Sequence, residues 1–499
     1  MENSSRKELL AAYYAATPED QSKYRYQYSL VEIKKREEDI SSLLARLPGD
    51  VLNFLEIAGE LADKQEVKAY LIGGMVRDLF LGLENRDLDI VLAPGPEAPE
   101  LNPDLERRKE AHPPGLGNRG QVSNPELEKR KEKGDILENY LRELADVFQA
   151  EYSYNSKFRT GNLLLPAGLN VDLAEARREF YQYSGALPEV EAAGIIEDLF
   201  RRDYTINSLA LVLNRVEWGC LLDYFQGLED LQEASLRVLH SFSFLDDPTR
   251  IVRGIRLAAK TAFSFARETS VLLQEALTGG DFSHLSLERI LKEFEFLFAS
   301  PVNSNLFSLL QQYPLFNLLN LEVGIREGLE EELEKLESYL AEFREKNYNR
   351  EEWVLRLALF IGDAGEELKK WQVRTDYKEI FLAYESYQSL LPELAQPLAA
   401  DELVEKLKPL QDEELLILLA RSRNKEVEEN ILRYLRKLKN IGLEITGKDL
   451  LANGLEPGPV IGEILARVYR QRLKGKLSSR TEQLAYARSL VREVKGKKE

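Results

Sequence analysis

Leu71–Leu92 reads LIGGMVRDLFLGLENRDLDIVL, and the order of its parts decides the fold of the first half of the chain. Val67–Ile72 is predicted as a short buried strand, rich in β-branched and aromatic residues and ended by Gly73-Gly74. MVRDLFLGL reads as the helix that follows, and Leu88–Leu92 as the next strand. Residues i and i+2 of a strand point to one face, about 7 Å apart. Asp87 and Asp89 therefore present two carboxylates together, an oxygen donor set suited to hard divalent cations. Paired cations suit phosphoryl transfer, because one lowers the pKa of the attacking hydroxyl and both stabilise the charged transition state. Gly73 and Gly74 leave no side chain between the backbone amides and a phosphate oxygen. Arg77, one turn along the helix, is placed to neutralise a triphosphate. The plainer alternative is an exposed Arg77-Asp78 ion pair beside an ordinary surface Asp-x-Asp.

Outward from this stretch, residues 41–66 are apolar and polar at helical spacing. Ala93 to Gly134 is dense in Pro, Gly and charge and lacks apolar periodicity, which predicts a flexible insertion at 93–134. A helix is expected at ILENYLRELADVF, then strands near Tyr152–Tyr154, Asn162–Leu165 and Leu169–Leu173. Beyond Tyr224 the pattern is helical throughout, with short Gly, Pro and Asn breaks and no fixed repeat. The expected class is α+β, a compact α/β head followed by a long all-α part. The expected boundaries are an N-terminal helical segment 1–66, a head 67–224, a neck 225–300, a helical body 301–440 and a basic helical tail 441–499.

The chain has 499 residues, enough for two to four domains, with 44% hydrophobic and 30% charged residues. It lacks an apolar run of about 18 residues and a signal-like start, and a cytoplasmic location is expected, with no membrane and no protein partner implied. One cysteine, Cys220, excludes an intramolecular disulfide or thiolate zinc cluster. His112, His240 and His284 have no partners at metal spacing. With 67 Lys and Arg against 85 Asp and Glu, the net charge is −18, unfavourable for nucleic acid as a whole. The distribution differs: Leu465–Glu499 carries 11 basic against 3 acidic residues, an excess of 8. That tail is a candidate RNA footprint, with Lys448, Arg472, Lys474 and Lys476 as candidate contacts; a solvated charged helix end is the plainer alternative.

Two further blocks carry polar chemistry. Arg201-Arg202-Asp203-Tyr204-Thr205-Ile206-Asn207 packs two cations, an acid and an amide into seven residues, which suits a polar ligand or, more plainly, a helix cap. Asp246-Asp247-Pro248-Thr249-Arg250-Ile251-Val252-Arg253-Gly254-Ile255-Arg256 opens a helix at Pro248 and puts Arg250, Arg253 and Arg256 on one side of it. A capping and salt-bridge network is its alternative. Asp172, in Val171-Asp172-Leu173, is a candidate third carboxylate beside Asp87 and Asp89, or an ordinary strand-end acid.

Taken with Ser286-Leu287-Glu288-Arg289-Ile290-x-x-Glu293, these blocks resemble the polymerase-β-type nucleotidyltransferases, in the form of class II tRNA nucleotidyltransferases and bacterial poly(A) polymerases. The resemblance covers Ala69 to Ser300. It implies two Mg²⁺ ions held by catalytic Asp87 and Asp89, and a nucleotide bound by Gly73, Gly74, Arg77, Arg202, Asp203, Asn207, Asp247, Arg250, Arg253 and Arg256. Asp247 and Arg250 would hydrogen-bond the base edge, while Glu288 and Arg289 would position their helix. The implied partners are CTP and/or ATP and a tRNA 3′ end. The implied reaction is CCA addition, terminal A addition or poly(A) synthesis. A catalytically silent RNA-binding protein and a small-molecule nucleotidyltransferase are rival readings.

The chain departs from the family pattern at Gly254, where Ala is usual, at Lys260 for Arg, and at Ala262 for the Gly before Phe263. It departs again at Phe158-Arg159-Thr160-Gly161. A Gly inside a helix costs about 1 kcal/mol relative to Ala. The loop Arg178–Ile195 and the wording of Ser241–Arg250 resemble A-adding bacterial enzymes. Ile445–Leu450 and Gly454–Pro459 read as two loops before a basic helix, similar to the tails that touch tRNA.

Overall fold

The computed structural model describes residues 3–94, 135–166, 168–280, 282–343 and 351–496. The chain divides into two units, Met1–Glu293 and Phe294–Glu499. The described residues of the first hold twelve strands, of which the first ten are β1 Arg36–Asp39, β2 Val67–Ile72, β3 Leu88–Pro94, β4 Glu151–Asn155, β5 Thr160–Leu164, β6 Asn170–Glu175, β7 Arg177–Phe180, β8 Glu189–Ala192, β9 Leu209–Val212 and β10 Cys220–Asp223. Eight of them form one mixed sheet, ordered β1-β10-β9-β2-β3-β6-β5-β4, while β7 and β8 pair as a separate hairpin. Only β3 and β6 run parallel within the large sheet.

β2 and β3 lie at the centre of this sheet and are buried on both faces, which is why their sequences are continuous apolar runs rather than alternating ones. On one face Tyr70, Ile72, Val91, Ala210 and Val212 pack against Leu199, Phe200 and Phe225. The helices Gly49–Lys64 and Ile136–Phe148 bury Phe54, Leu55, Leu137, Tyr140, Leu141 and Leu144. Each such side chain contributes about 1.5–3 kcal/mol. Tyr140 brings a hydroxyl into this core and donates it to the Ala58 carbonyl at 2.6 Å.

Several expectations need correction. The segment 1–66 is not wholly helical, because β1 pairs with β10 and extends the sheet. The expected 41–66 helix is two, Ser41–Leu44 and Gly49–Lys64, separated at Pro48, whose ring removes a backbone donor. Ala93 and Pro94 belong to β3 and not to the insertion, whose remainder, 95–134, lies outside the described residues along with His112. Strands also persist past Tyr224, since Ser235–Leu236 pairs in parallel with Ser264–Phe265.

The second unit is helical, with no strand among its described residues. Its buried Arg356 is held by Glu337 at 2.6 and 3.0 Å, by Glu352 at 2.7 Å and by the Phe298 carbonyl at 2.9 Å. The expected loop at Ile445–Leu450 instead starts the helix Gly447–Ala452, whose first turn is held by Asp449 accepting from the Thr446 N–H at 2.7 Å and from its hydroxyl at 3.2 Å. That helix packs with Pro459–Leu473 and Arg480–Gly496 around Ile445, Leu450, Ile464, Val468 and Leu490.

Gly254 has a steric reason that its sequence position does not reveal. A Cβ there would stand 1.9 Å from the Tyr204 hydroxyl oxygen, which donates to the Arg250 carbonyl at 2.9 Å. The phenol oxygen fills the space that a methyl group would take. Gly254→Ala is expected to destabilise the chain by about 1–3 kcal/mol through overpacking. Adding Tyr204→Phe should recover only part of this loss, because the ring carbon Cζ would still stand 2.6 Å and Phe265 Cε1 3.0 Å from the new Cβ. Urea melts of the two single variants and the double variant check this.

Candidate active site

Gly73 ends β2 with φ +72° and ψ −140°, a conformation that favours glycine. A Cβ at Gly73 would stand 3.1 Å from Oδ2 of Asp89, so the bare backbone and this carboxylate share one small space. Asp89 is set by the sheet: it pairs with Ile72 on β2 and with Asp172 on the parallel β6. Neighbouring strands lie about 4.8 Å apart, so Asp89 and Asp172 project from the same face side by side. Asp172 is exposed and accepts from Asn162 Nδ2 at 2.9 Å. Asp87 lies one residue before β3, exposed, with its N–H donating to Asn85 Oδ1 at 2.8 Å. It is thus not itself a strand residue, although the turn fixes it. Burial pushes the Asp89 carboxyl up to about 6; Arg202 opposes the rise, while Asp172, Asp87 and Asp203 add to it.

This donor set fits a hard divalent cation. Asp89 and Asp87 supply carboxylate oxygens, the surrounding negative charge attracts a cation, and a cation of this kind completes its shell with phosphate and water. Among the described residues no group of three or more His, Cys, Asp or Glu stands together as a ready metal cage.

A second layer is built on one buried acid. Asp198 accepts from Arg201 at 2.7 and 3.0 Å, from Arg202 Nη2 at 2.9 Å and from the Arg177 N–H at 3.2 Å. Burial would raise its pKa, but Arg201 and Arg202 outweigh that and hold it below the usual carboxylate range. Asp203 accepts from Asn207 Nδ2 at 3.0 Å, and Asn207 Oδ1 accepts from Arg77 Nη1 at 2.7 Å. Arg77 is therefore neither an exposed ion pair nor a lining residue of the cleft described below. It is buried, bonded to Asp78 at 2.7 Å, and reaches Asp203 only through Asn207.

The third layer is the helix Thr249–Thr261 and the turn before it. Asp247 accepts from Thr249 N–H and Oγ1 at 3.1 and 2.6 Å, from Arg289 at 3.1 Å and from Arg253 at 3.2 Å. Burial would raise Asp247, and Arg253, Arg250 and Arg289 together hold it low. Arg250 does not pair with Asp247; it donates to Ser243 Oγ at 2.8 Å and to the Arg201 carbonyl at 2.6 Å. Arg256 lies apart, 3.9 Å from Glu293. In the last block Arg289 touches Asp247, whereas Glu288 is exposed; its expected positioning role falls instead on Arg289 and Glu293.

These layers enclose a cleft of about 360 Å³ lined by Gly73, Gly74, Asp89, Arg202, Asp203, Asn207, Asp247, Arg250 and Arg253, with Arg177, Glu179, Tyr181, Pro188, Arg201 and Arg289 besides. A second cavity of about 580 Å³ adjoins it at Asp89, Arg201 and Arg202 and reaches Asn162 and Asp172. The Nε–H groups of Arg177, Arg202, Arg250 and Arg253 are buried without a hydrogen-bond partner among the described residues. Six arginines line the cleft against four acids, Asp89, Glu179, Asp203 and Asp247, and this cationic excess suits an anion. Sequence reading missed Arg177, Glu179 and Tyr181, although the first two share one face of β7 and Tyr181 continues that period-two spacing one residue past its end.

The basic tail is less available than its charge suggests. Arg472 bonds Glu444 at 2.8 Å and the Ser478 carbonyl at 3.2 Å, and Lys474 pairs with Asp401 at 2.9 Å. Lys448 and Lys476 are exposed.

Comparison with known proteins finds relatives along most of the chain. A family model described as Poly A polymerase head domain matches residues 120–237, and one for tRNA nucleotidyltransferase domain 2 matches residues 330–487. The A-adding tRNA nucleotidyltransferase of Geobacter sulfurreducens is 28% identical over 97% of this chain, which spans 52% of that longer protein. The enzyme of the same name from Halalkalibacterium halodurans is 28% identical over 89% of the chain and 93% of its own length. The Thermotoga maritima CCA-adding enzyme, solved in complex with tRNA, superposes with a TM-score of 0.67 at 26% identity, covering 91% of this chain and 99% of that one. By sequence blocks, fold and these relatives alike, the chain belongs to the family of tRNA nucleotidyltransferases and poly(A) polymerases.

Proposed function

We propose that this protein transfers a nucleotide from ATP, or from CTP and ATP, to the 3′ end of a tRNA without a nucleic-acid template, using divalent cations. The observation that carries it is the cleft, in which Asp89 faces the bare Gly73 backbone and six arginines line the walls. In this reading Asp87 and Asp89 hold two Mg²⁺ ions. When bound, these supply a lowered pKa for the attacking 3′ hydroxyl and charge stabilisation at the transferred phosphorus. Gly73 and Gly74 admit the triphosphate to their amides, Arg202 and Arg253 neutralise it, and Asp203 with Asn207 receives the sugar. Asp247 offers an acceptor and Arg250 a donor to the base edge, the pairing that cytosine and adenine both accept. Asp172 lines the adjoining cavity as a third carboxylate. Lys448 and Lys476 are the remaining exposed candidates for tRNA contact. The finer division into head, neck, body and tail belongs to the same proposal, as does a cytoplasmic location; among the described residues no helix is long and apolar enough to cross a membrane.

Terminal A addition is favoured, because two relatives at 28% identity over 97% and 89% of the chain carry that name, against 26% for CCA-adding relatives that also cover 89%. Full CCA addition is the second reading, supported by the Thermotoga neighbour. tRNAs ending in -N, -NC and -NCC, each offered CTP and ATP separately, distinguish them. The expected result is one A on -NCC and no C on -N. Addition of C to -N would replace A addition by CCA addition, and no transfer to any of them would overturn the proposal. A chelator should stop transfer, and Mg²⁺ should restore it.

A further inference from the structure

The helix Pro18–Gln27 lies outside every block discussed above, yet two of its buried side chains reach the back of the cleft. Gln21, 0% exposed, donates Nε2 to the Tyr181 carbonyl at 2.8 Å and accepts from the Tyr181 N–H at 3.0 Å. One primary amide thus fills both hydrogen-bonding positions of one backbone residue. Arg25, 3% exposed, spans further: Nη1 donates to the Glu179 carbonyl at 2.7 Å, and Nε donates to Asp246 at 3.0 Å. Tyr13 closes the group, accepting from Arg25 Nε at 2.8 Å and donating to Asp246 at 2.9 Å.

What these residues hold matters more than that they are buried. Glu179 and Tyr181 line one wall of the cleft, and Tyr181 donates to Glu179, which also binds Arg201. Asp246 adjoins Asp247, which with Arg250 lines another part of the cleft wall. Neither Gln21 nor Arg25 lines the cleft itself. A single rigid guanidinium therefore fixes the spacing between the two walls, and Gln21 fixes the height of one of them. We propose that Gln21 and Arg25 are positioning residues that hold the Tyr181 and Asp247 walls in one geometry and so set which base the cleft accepts. This rests on the nucleotide-transfer reading above. A planar fork can bond both walls at once, which a lysine ammonium on its flexible stem does not reproduce.

The test uses the full chain with Arg25→Lys and Gln21→Met, measuring kcat and KM for ATP and for CTP on the same tRNA beside a thermal melt. Because both nucleotides see the same folded fraction, their ratio of kcat/KM is insensitive to partial unfolding. Misplacement of a positioned group by about 1 Å costs up to about a hundredfold in rate. Each variant is expected to lose about tenfold or more in discrimination between the two nucleotides, chiefly through KM of the preferred one. An unchanged ratio in both variants, whatever their melting temperatures, would overturn the positioning role while leaving the transfer reading intact. A wild-type chain that transfers neither nucleotide would overturn both.

Discussion

Asp89→Ala is expected to reduce nucleotide transfer by about a thousandfold or more while tRNA binding, read by filter binding, stays close to wild type. The magnitude follows from the several kcal/mol of transition-state charge stabilisation that a bound cation supplies, at 1.36 kcal/mol per tenfold. Asp87→Ala should lose a comparable factor, although Asp87 is the exposed member of the pair. Binding is expected to survive because Asp89 lines the cleft beside Gly73 and carries no apolar packing of its own. Stability should respond in the opposite sense from activity. Asp172, Asp87 and Asp203 all act on Asp89 with like charge, so Asp89→Asn in metal-free buffer should melt no lower than wild type. Full turnover in either Asp→Ala variant would remove Asp87 and Asp89 from the metal role and favour the silent RNA-binding alternative.

Asp198→Ala is expected to cost about 3–5 kcal/mol of folding stability and to abolish transfer in whatever fraction remains folded. Asp198 is 0% exposed and organises Arg201, Arg202 and the backbone of Arg177 at once. Its loss removes the ion partner of Arg202 and leaves Arg201 with Glu179 alone, beside the further cations Arg177 and Arg250. The pH dependence has a defined sign. The folded pKa lies below the unfolded value of about 3.9, so the stabilisation is fully present above that value and is lost as pH falls through the folded pKa. Urea denaturation at neutral pH and at about pH 3 should therefore show the gap between wild type and variant narrowing in acid. A variant within about 1 kcal/mol of wild type at neutral pH would mean that Arg201 and Arg202 find other partners.

Much of the central sheet is legible in sequence because local chemistry specifies it. Val67–Ile72 is apolar and β-branched and stops at two glycines, and the observed strand has those bounds. Ile136–Phe148 has a strong apolar stripe, and Asp135 caps it. β1 was not legible: Arg36–Asp39 reads REED, with no apolar face, and is a strand only because β10 offers an open edge to pair with. Arg77 was misread for a similar reason. Its sequence neighbourhood shows Asp78 but not Asn207, which lies 130 residues away.

The sequence by itself determined the chemistry of the site: which residues carry carboxylates, guanidinium groups and bare backbone, and at what spacing along each element. Those properties depend on neighbours within a few positions, where strand and helix periodicity is enough. The tertiary structure alone decided which groups meet. Asp89 stands beside Asp172 because two strands pair in parallel, and Gly254 is glycine because Tyr204 brings a hydroxyl against it. Arg25 spans two walls that lie 154 and 221 residues away in sequence. Hydrogen bonds and steric contact act over about 3 Å in space, and no periodicity along a chain records which distant residues will come that close.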